Sequence, residues 1–273
     1  MGWRRGATNL AAAAIGAGVA WTVQRRLAAD PPGGSRRWER VNHRGGTVTL
    51  AAGPAVALGA AAGAALAPGA PARVRVAGAL VAGTVGAVGL YDDLAGSSAS
   101  KGLRGHLSAL RRGEVTSGAV KIAVIGAAGL TGAVIVVSDD PLDAVIGGAA
   151  VAGHANLLNL LDLRPGRAIK ATLLHAPVSL TGPGGGLAAA AIGAAVAMLP
   201  DDLGEKTMLG DAGANALGAA LGLAMVAREG RAARLVHLGV VAALTLASEK
   251  VSFTRVIEKT PVLRDLDRLG RRP

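Results

Sequence analysis

The chain has 273 residues, 51% of them hydrophobic and only 17% charged, with a mean hydropathy of +0.43, which is too apolar for an ordinary soluble domain of this length. It has no cysteine, which excludes a disulfide framework and any thiolate metal site. The net charge of +11 invites a nucleic-acid reading, but aromatics make up only 2%, too few for base-stacking platforms, and no nucleic acid is expected as a partner.

Apolar segments follow one another at Ala7 to Val23, Val48 to Ala67, Val74 to Leu90, Ala119 to Val137, Ala144 to Leu161, Ala168 to Thr181, Gly186 to Leu199, Ala212 to Ala227 and Leu235 to Ser248. The first five approach the ~20 residues that a bilayer-spanning helix needs. The last four are shorter, and Pro177 interrupts one of them. The segments are rich in Ala and Gly, which lets helices approach closely in lipid. The expected fold is all-α: a polytopic integral membrane helix bundle of about nine transmembrane helices, forming a single membrane domain over residues 1–273. Losing the sixth and seventh segments together would leave the sidedness of the rest unchanged.

The opening MGWRR and its short apolar stretch also fit a secretory signal. No convincing small-residue cleavage site precedes Arg25-Arg26, and the basic residues behind outnumber the two in front, so a retained first helix is expected. The loops after odd-numbered segments, with basic residues at helix edges counted into them, carry 22 of the 29 Lys and Arg residues. By the positive-inside rule that face is cytoplasmic and the N-terminus lies outside. Residues 91–119 are then expected to form a cytoplasmic amphipathic loop and residues 249–273 a cytoplasmic tail, with the bundle in a cytoplasmic (inner) membrane. The basic charge reads first as topology, and second as a surface for anionic lipid or phosphates.

Acids gather on the same face. In "GLYDDLAGSS", Gly89 to Ser98, Asp92 and Asp93 stand together at the exit of an apolar run. Adjacent carboxylates repel unless water or a cation screens them. "NLLNLLD" places Asn156, Asn159 and Asp162 three apart, on one drifting side of a helix. "MLGDAGAN" places Asp211 just after a glycine at a helix start, where backbone N–H groups favour an anion. Together these are hard oxygen ligands, suited to Mg²⁺ carried with substrate phosphates. The bland alternative is a set of helix caps and solvated loop acids, which fits Asp201 and Asp202 after Pro200 well. Polar clusters at a membrane edge tend instead to be functional. His154, His175 and His237 are scattered in apolar segments and read as packed, hydrogen-bonded residues, although His154 is near enough to Asn156 to line the cleft. "TGPGGG", Thr181 to Gly186, falls on the external face with no following Lys and reads as a turn.

From about residue 36 to 250 the chain resembles the polyprenyl-phosphate N-acetylhexosamine-1-phosphate transferases, which include the phospho-N-acetylmuramoyl-pentapeptide transferase and the bacterial N-acetylglucosamine-1-phosphate transferase. The family's Asp-Asp pair with a following basic loop is similar to "GLYDDLAGSSASKGLRGHL". Its Asn-x-x-Asn-x-x-Asp helix end is matched by Asn156, Asn159 and Asp162, and its Gly-Asp-x-Gly by Gly210, Asp211 and Gly213. "NHRGGTVTLAAG", Asn42 to Gly53, resembles the family's first cytoplasmic loop. The resemblance implies a Mg²⁺-dependent membrane enzyme of cell-envelope glycan or peptidoglycan synthesis, moving a sugar-1-phosphate from a UDP-sugar donor to a polyprenyl phosphate such as undecaprenyl phosphate. It implies Asp211 as the metal ligand and Asp92 as base or nucleophile-positioning acid. Asp93, Asn159 and Asp162 complete the polar cleft with Asn156, while Lys101 and Lys121 are phosphate contacts or positive-inside anchors. A homodimer is one assembly left open.

Three departures bear on the donor. Pro165 stands where bacterial members usually carry a second Asp associated with the nucleobase, Ala214 stands in place of the usual Ser, and "RVIEKTPVLRDLDRLGRRP" replaces a His-rich C-terminal loop. A non-catalytic homologue that binds lipid phosphate or partner membrane proteins is the alternative. A small-solute transporter fits less well, because the acids cluster at one face and not at mid-membrane.

Overall fold

The computed structural model describes residues 2–95, 109, 111–137 and 140–272. Among these described residues, six helices are long and apolar enough to cross a membrane: α1 (Gly2–Ala29), α4 (Ala72–Ala95), α5 (Ser117–Val137), α6 (Pro141–Leu161), α9 (Gly185–Leu203) and α11 (Arg231–Ser248). Between them lie α2 (Ser35–Trp38), α3 (Ala52–Ala65), α7 (Arg167–Leu174), α8 (Ala176–Ser179) and α10 (Gly210–Val226), with α12 (Phe253–Lys259) and α13 (Pro261–Arg268) closing the chain. The protein is thus an all-α, multi-pass membrane helix bundle. Its outward faces agree with that environment: Leu58, Val76, Val134, Val145, Val240 and Leu246 are all exposed, a pattern costly in water and favourable against lipid.

Helix α10 is the axle. Among its residues only Asp211 and Met225 are not buried, and it packs on α3, α4 and α6. Outer contacts run α1 against α3 and α9, α4 against α3 and α5, and α6 against α5 and α11. The sequence makes this close packing with glycine and alanine. A Cβ at Gly89 of α4 would stand 2.5 Å from the Asp211 carbonyl oxygen and 2.7 Å from the Ala212 backbone, so α4 meets the start of α10 backbone to backbone. Local signals set the ends: Asp140 accepts a hydrogen bond from the Leu142 amide (2.8 Å) to cap α6, and Pro141 occupies its first turn.

Four elements differ from the sequence expectation. A two-stranded antiparallel hairpin, β1 (Glu39–Val41) with β2 (Thr47–Thr49), precedes α3, which therefore begins at Ala52 and not at Val48. Asn42 closes its turn by accepting from the Arg44 and Gly46 amides (2.9 and 2.8 Å), and β-branched Val41, Thr47, Val48 and Thr49 suit the strands. Helix α4 continues through Asp92 and Asp93 to Ala95, because partners on other helices satisfy both carboxylates. The sixth apolar segment is two short helices, α7 and α8, broken before Pro177, whose ring disfavours helical backbone in the preceding residues. Finally, α9 runs past Pro200 to Leu203, and Asp202 is buried, its carboxylate accepting from the Gly166 amide at 2.6 Å.

Candidate functional site

One end of the bundle collects the C-terminal ends of α4, α6 and α9 and the N-terminal ends of α5 and α10. Asp92 comes from the last turns of α4, Lys121 from the second turn of α5 and Asp211 from the first turn of α10. Lys121 Nζ lies 2.6 Å from Asp92 Oδ2 and 2.6 Å from Asp211 Oδ2, so two carboxylates converge on one cationic centre. The Ser117 hydroxyl, one helical turn before Lys121, also contacts Asp92. The three side chains are between 13% and 22% exposed, open enough for exchange with solvent and sheltered enough for their charges to matter.

Asp93 has a different surrounding. Its Oδ1 accepts from the Asp211 amide at 3.0 Å and its Oδ2 from the Ala212 amide at 2.9 Å, so it caps the N-terminus of α10 from a neighbouring helix. Gly210 makes room for this. Its φ of +58° turns the chain into the helix, and a Cβ there would stand 2.9 Å from Asp93 Oδ2. The Arg40 guanidinium of β1 donates to the Asp93 carbonyl, tying the hairpin to the same corner. The hairpin is held from the other side too: Thr207 Oγ1 donates to the Thr49 carbonyl (2.8 Å) and accepts from the Ala52 amide (3.2 Å).

Asp162 ends α6 and accepts from the Gly210 amide. Burial, followed by the charges of Asp202, Asp93 and Asp211, pushes its carboxyl well above the usual carboxylate range. It lines a cavity of about 220 Å³ together with Asn42, His43, Arg164, Asp202 and Glu205. Asn156 is turned elsewhere, its amide donating to Thr245 Oγ1 of α11 at 3.1 Å. A spacing of three on a 3.6-residue helix drifts by about 60° per step, so two steps carry Asn156 to a different side from Asp162. Asn159 lies between them, half-buried. Lys101 lies outside the described residues, as does much of the expected loop 91–119.

The histidines are not scattered. Glu229 Oε2 meets His237 Nδ1 at 3.1 Å, His237 Nε2 meets His154 Nδ1 at 3.0 Å, and the His154 and His175 rings stand edge to face at 4.8 Å between centroids. They border a largely apolar cavity of about 1,020 Å³ between α6, α7, α11 and the C-terminal helices. No spacing in the sequence signals this array, since its members come from two helices, the turn between α7 and α8, and the loop before α11.

Among the described residues no three His, Asp or Glu side chains are arranged to hold a metal. A hard divalent ion carried with phosphates needs only one or two carboxylates, however, and Asp92 and Asp211 already share one cation position. The donor set fits such an ion. The chain matches no protein-family model and no curated protein.

Proposed function

We propose that this protein is a membrane phosphotransferase that moves a sugar-1-phosphate from a UDP-sugar to a polyprenyl phosphate in envelope glycan synthesis, as its likeness to that transferase family suggests. The observation that carries the reading is the convergence of Asp92 and Asp211 on one cation position at the bundle end where Asp93 and Asp162 also lie. Mg²⁺ held by Asp211 and Asp92 would neutralise diphosphate charge. Asp92 orients the attacking lipid phosphate, and Lys121 supplies a positive charge to the phosphates. Asp93 fixes the start of α10 and so the position of Asp211. Asp162, which lines the 220 Å³ cavity, borders the donor side, with Asn159 just before it on α6. Nine crossings, with the N-terminus outside and the acids and C-terminus cytoplasmic, complete the proposal on the strength of the basic-residue asymmetry.

The non-catalytic reading has two observations in its favour. A lysine already seated between the two carboxylates gives the site an internal cation, and Pro165 removes a donor-side acid. Mass spectrometry of the purified protein separates the two. A transferase is expected to carry a uridine nucleotide or to release UMP when given UDP-sugars and Mg²⁺. Retained polyprenyl phosphate with no nucleotide and no UMP from any donor favours the binding homologue.

A further inference from the structure

We propose that Lys121 is the resident counter-ion of the Asp92–Asp211 seat, and that a divalent cation enters only by displacing it, so that metal binding and release of the lysine ammonium are one event. The inference rests on the reading that these acids hold a metal. Lys121 Nζ is 2.6 Å from one oxygen of each carboxylate, the distance of a charge-assisted hydrogen bond. A divalent cation held by these two carboxylates would need the space the ammonium fills, and two positive charges do not share it. The charge balance favours exchange. One ammonium leaves the pair of carboxylates with a residual negative charge, whereas a divalent ion neutralises both and frees a positive group.

The freed group has somewhere to go. Lys121 stands in the second turn of α5 on a flexible four-carbon stem, and its side chain is 16% exposed, so rotation about its own bonds moves the ammonium out without moving the helix. Asp92, with the Ser117 hydroxyl against it, and Asp211, with its backbone amide held by Asp93, stay where they are. The lysine thus guards the acids against mutual repulsion in the absence of metal, and becomes an available phosphate contact in its presence. A lysine that merely anchored the membrane edge would do neither.

The test uses Mn²⁺ alone, with the full chain in lipid nanodiscs. Electron paramagnetic resonance titration should show Mn²⁺ binding tightened on the order of tenfold or more in Lys121→Met, because a competing charge has been removed. Lys121→Arg, which keeps the charge, should bind no more tightly than the wild type. A second readout needs no substitution: acylation of Lys121 by an amine-reactive ester, mapped by mass spectrometry, should rise several-fold when Mn²⁺ is added. Unchanged or weaker Mn²⁺ binding in Lys121→Met, or acylation indifferent to Mn²⁺, overturns the exchange. In that event, loss of Mn²⁺ in Asp211→Asn would leave the metal reading standing. Absence of Mn²⁺ binding from the wild type and Lys121→Met alike overturns both.

Discussion

The carboxylate of Asp93 accepts the backbone amides of Asp211 and Ala212, at 3.0 and 2.9 Å, so an acid on α4 caps a helix that begins more than a hundred residues later. Its neighbour Asp92 instead faces Lys121, and the adjacent acids therefore have separate work. Asp93→Ala leaves two amides at a helix start without acceptors and is expected to cost about 1–3 kcal/mol. Asp92→Asn, at the more open position, is expected to cost clearly less. Thermal unfolding of both variants in one detergent checks the order, and equal losses would contradict the division of roles.

Gly89 is the point where α4 touches the backbone of Asp211 and Ala212. Gly89→Ala forces the helices apart and is expected to destabilise by about 1–3 kcal/mol while loosening the Asp92–Lys121–Asp211 geometry. Gly126→Ala on α5, where an added Cβ meets nothing within 4 Å, is the control. It should be neutral or stabilising by up to about 1 kcal/mol through helix propensity.

Arg167, buried at the start of α7, donates from Nε and Nη2 to the two oxygens of Asp267 at 2.8 and 3.0 Å, and Arg271 joins them. Burial works against the charge on Asp267, but hydrogen bonding and charge from Arg167, then Arg271, hold its carboxyl below the ordinary value of 3.8. A depressed carboxylate contributes stability that is fully present above the unfolded value and is lost as pH falls through the lower folded value. The C-terminal helices should therefore be docked at neutral pH and released in acid below that value. Fluorescence anisotropy of a label at the exposed Leu269, introduced as Leu269→Cys, should fall over that range. Asp267→Ala, which strands Arg167, should cost about 3–5 kcal/mol and give the undocked signal at neutral pH.

Opposite faces are expected for Gly230, before α11, and Lys259, at the end of α12. Gly230→Cys meets no neighbouring atom and Lys259→Cys is exposed, so neither should disturb the fold. A membrane-impermeant maleimide added to intact cells should label the first and spare the second. Labelling of both from one side would contradict the proposed topology.

Much of the bundle was legible because long Ala- and Gly-rich runs leave little choice but helix, and acids at the ends of Leu90, Leu161 and Leu209 stand out against them. What composition hides is contact between helices. Lys121 reads as one more basic residue at a helix edge until α4 and α10 bring two carboxylates to it. Asp93 looks redundant beside Asp92 because its partners are backbone amides, which carry no sequence signature. Only the end of the hairpin, Val48 and Thr49, falls within the apolar run that begins at Val48, and Leu50 continues it into α3 without a break in hydropathy. The His154–His237–Glu229 chain could not be read, because no spacing links residues on different elements.

Asp92 and Asp211 are proposed to serve phosphoryl transfer at a lipid headgroup. The most direct test is transfer of labelled sugar phosphate from a panel of UDP-sugars to undecaprenyl phosphate, with Mg²⁺ or with chelator, by the wild type, Asp92→Asn and Asp211→Asn. A lipid-linked product is expected from at least one donor with the wild type and Mg²⁺, with a loss of at least about 100-fold in either variant or with chelator. Transfer that persists in Asp211→Asn, or no product from the folded wild type with any donor, would contradict it.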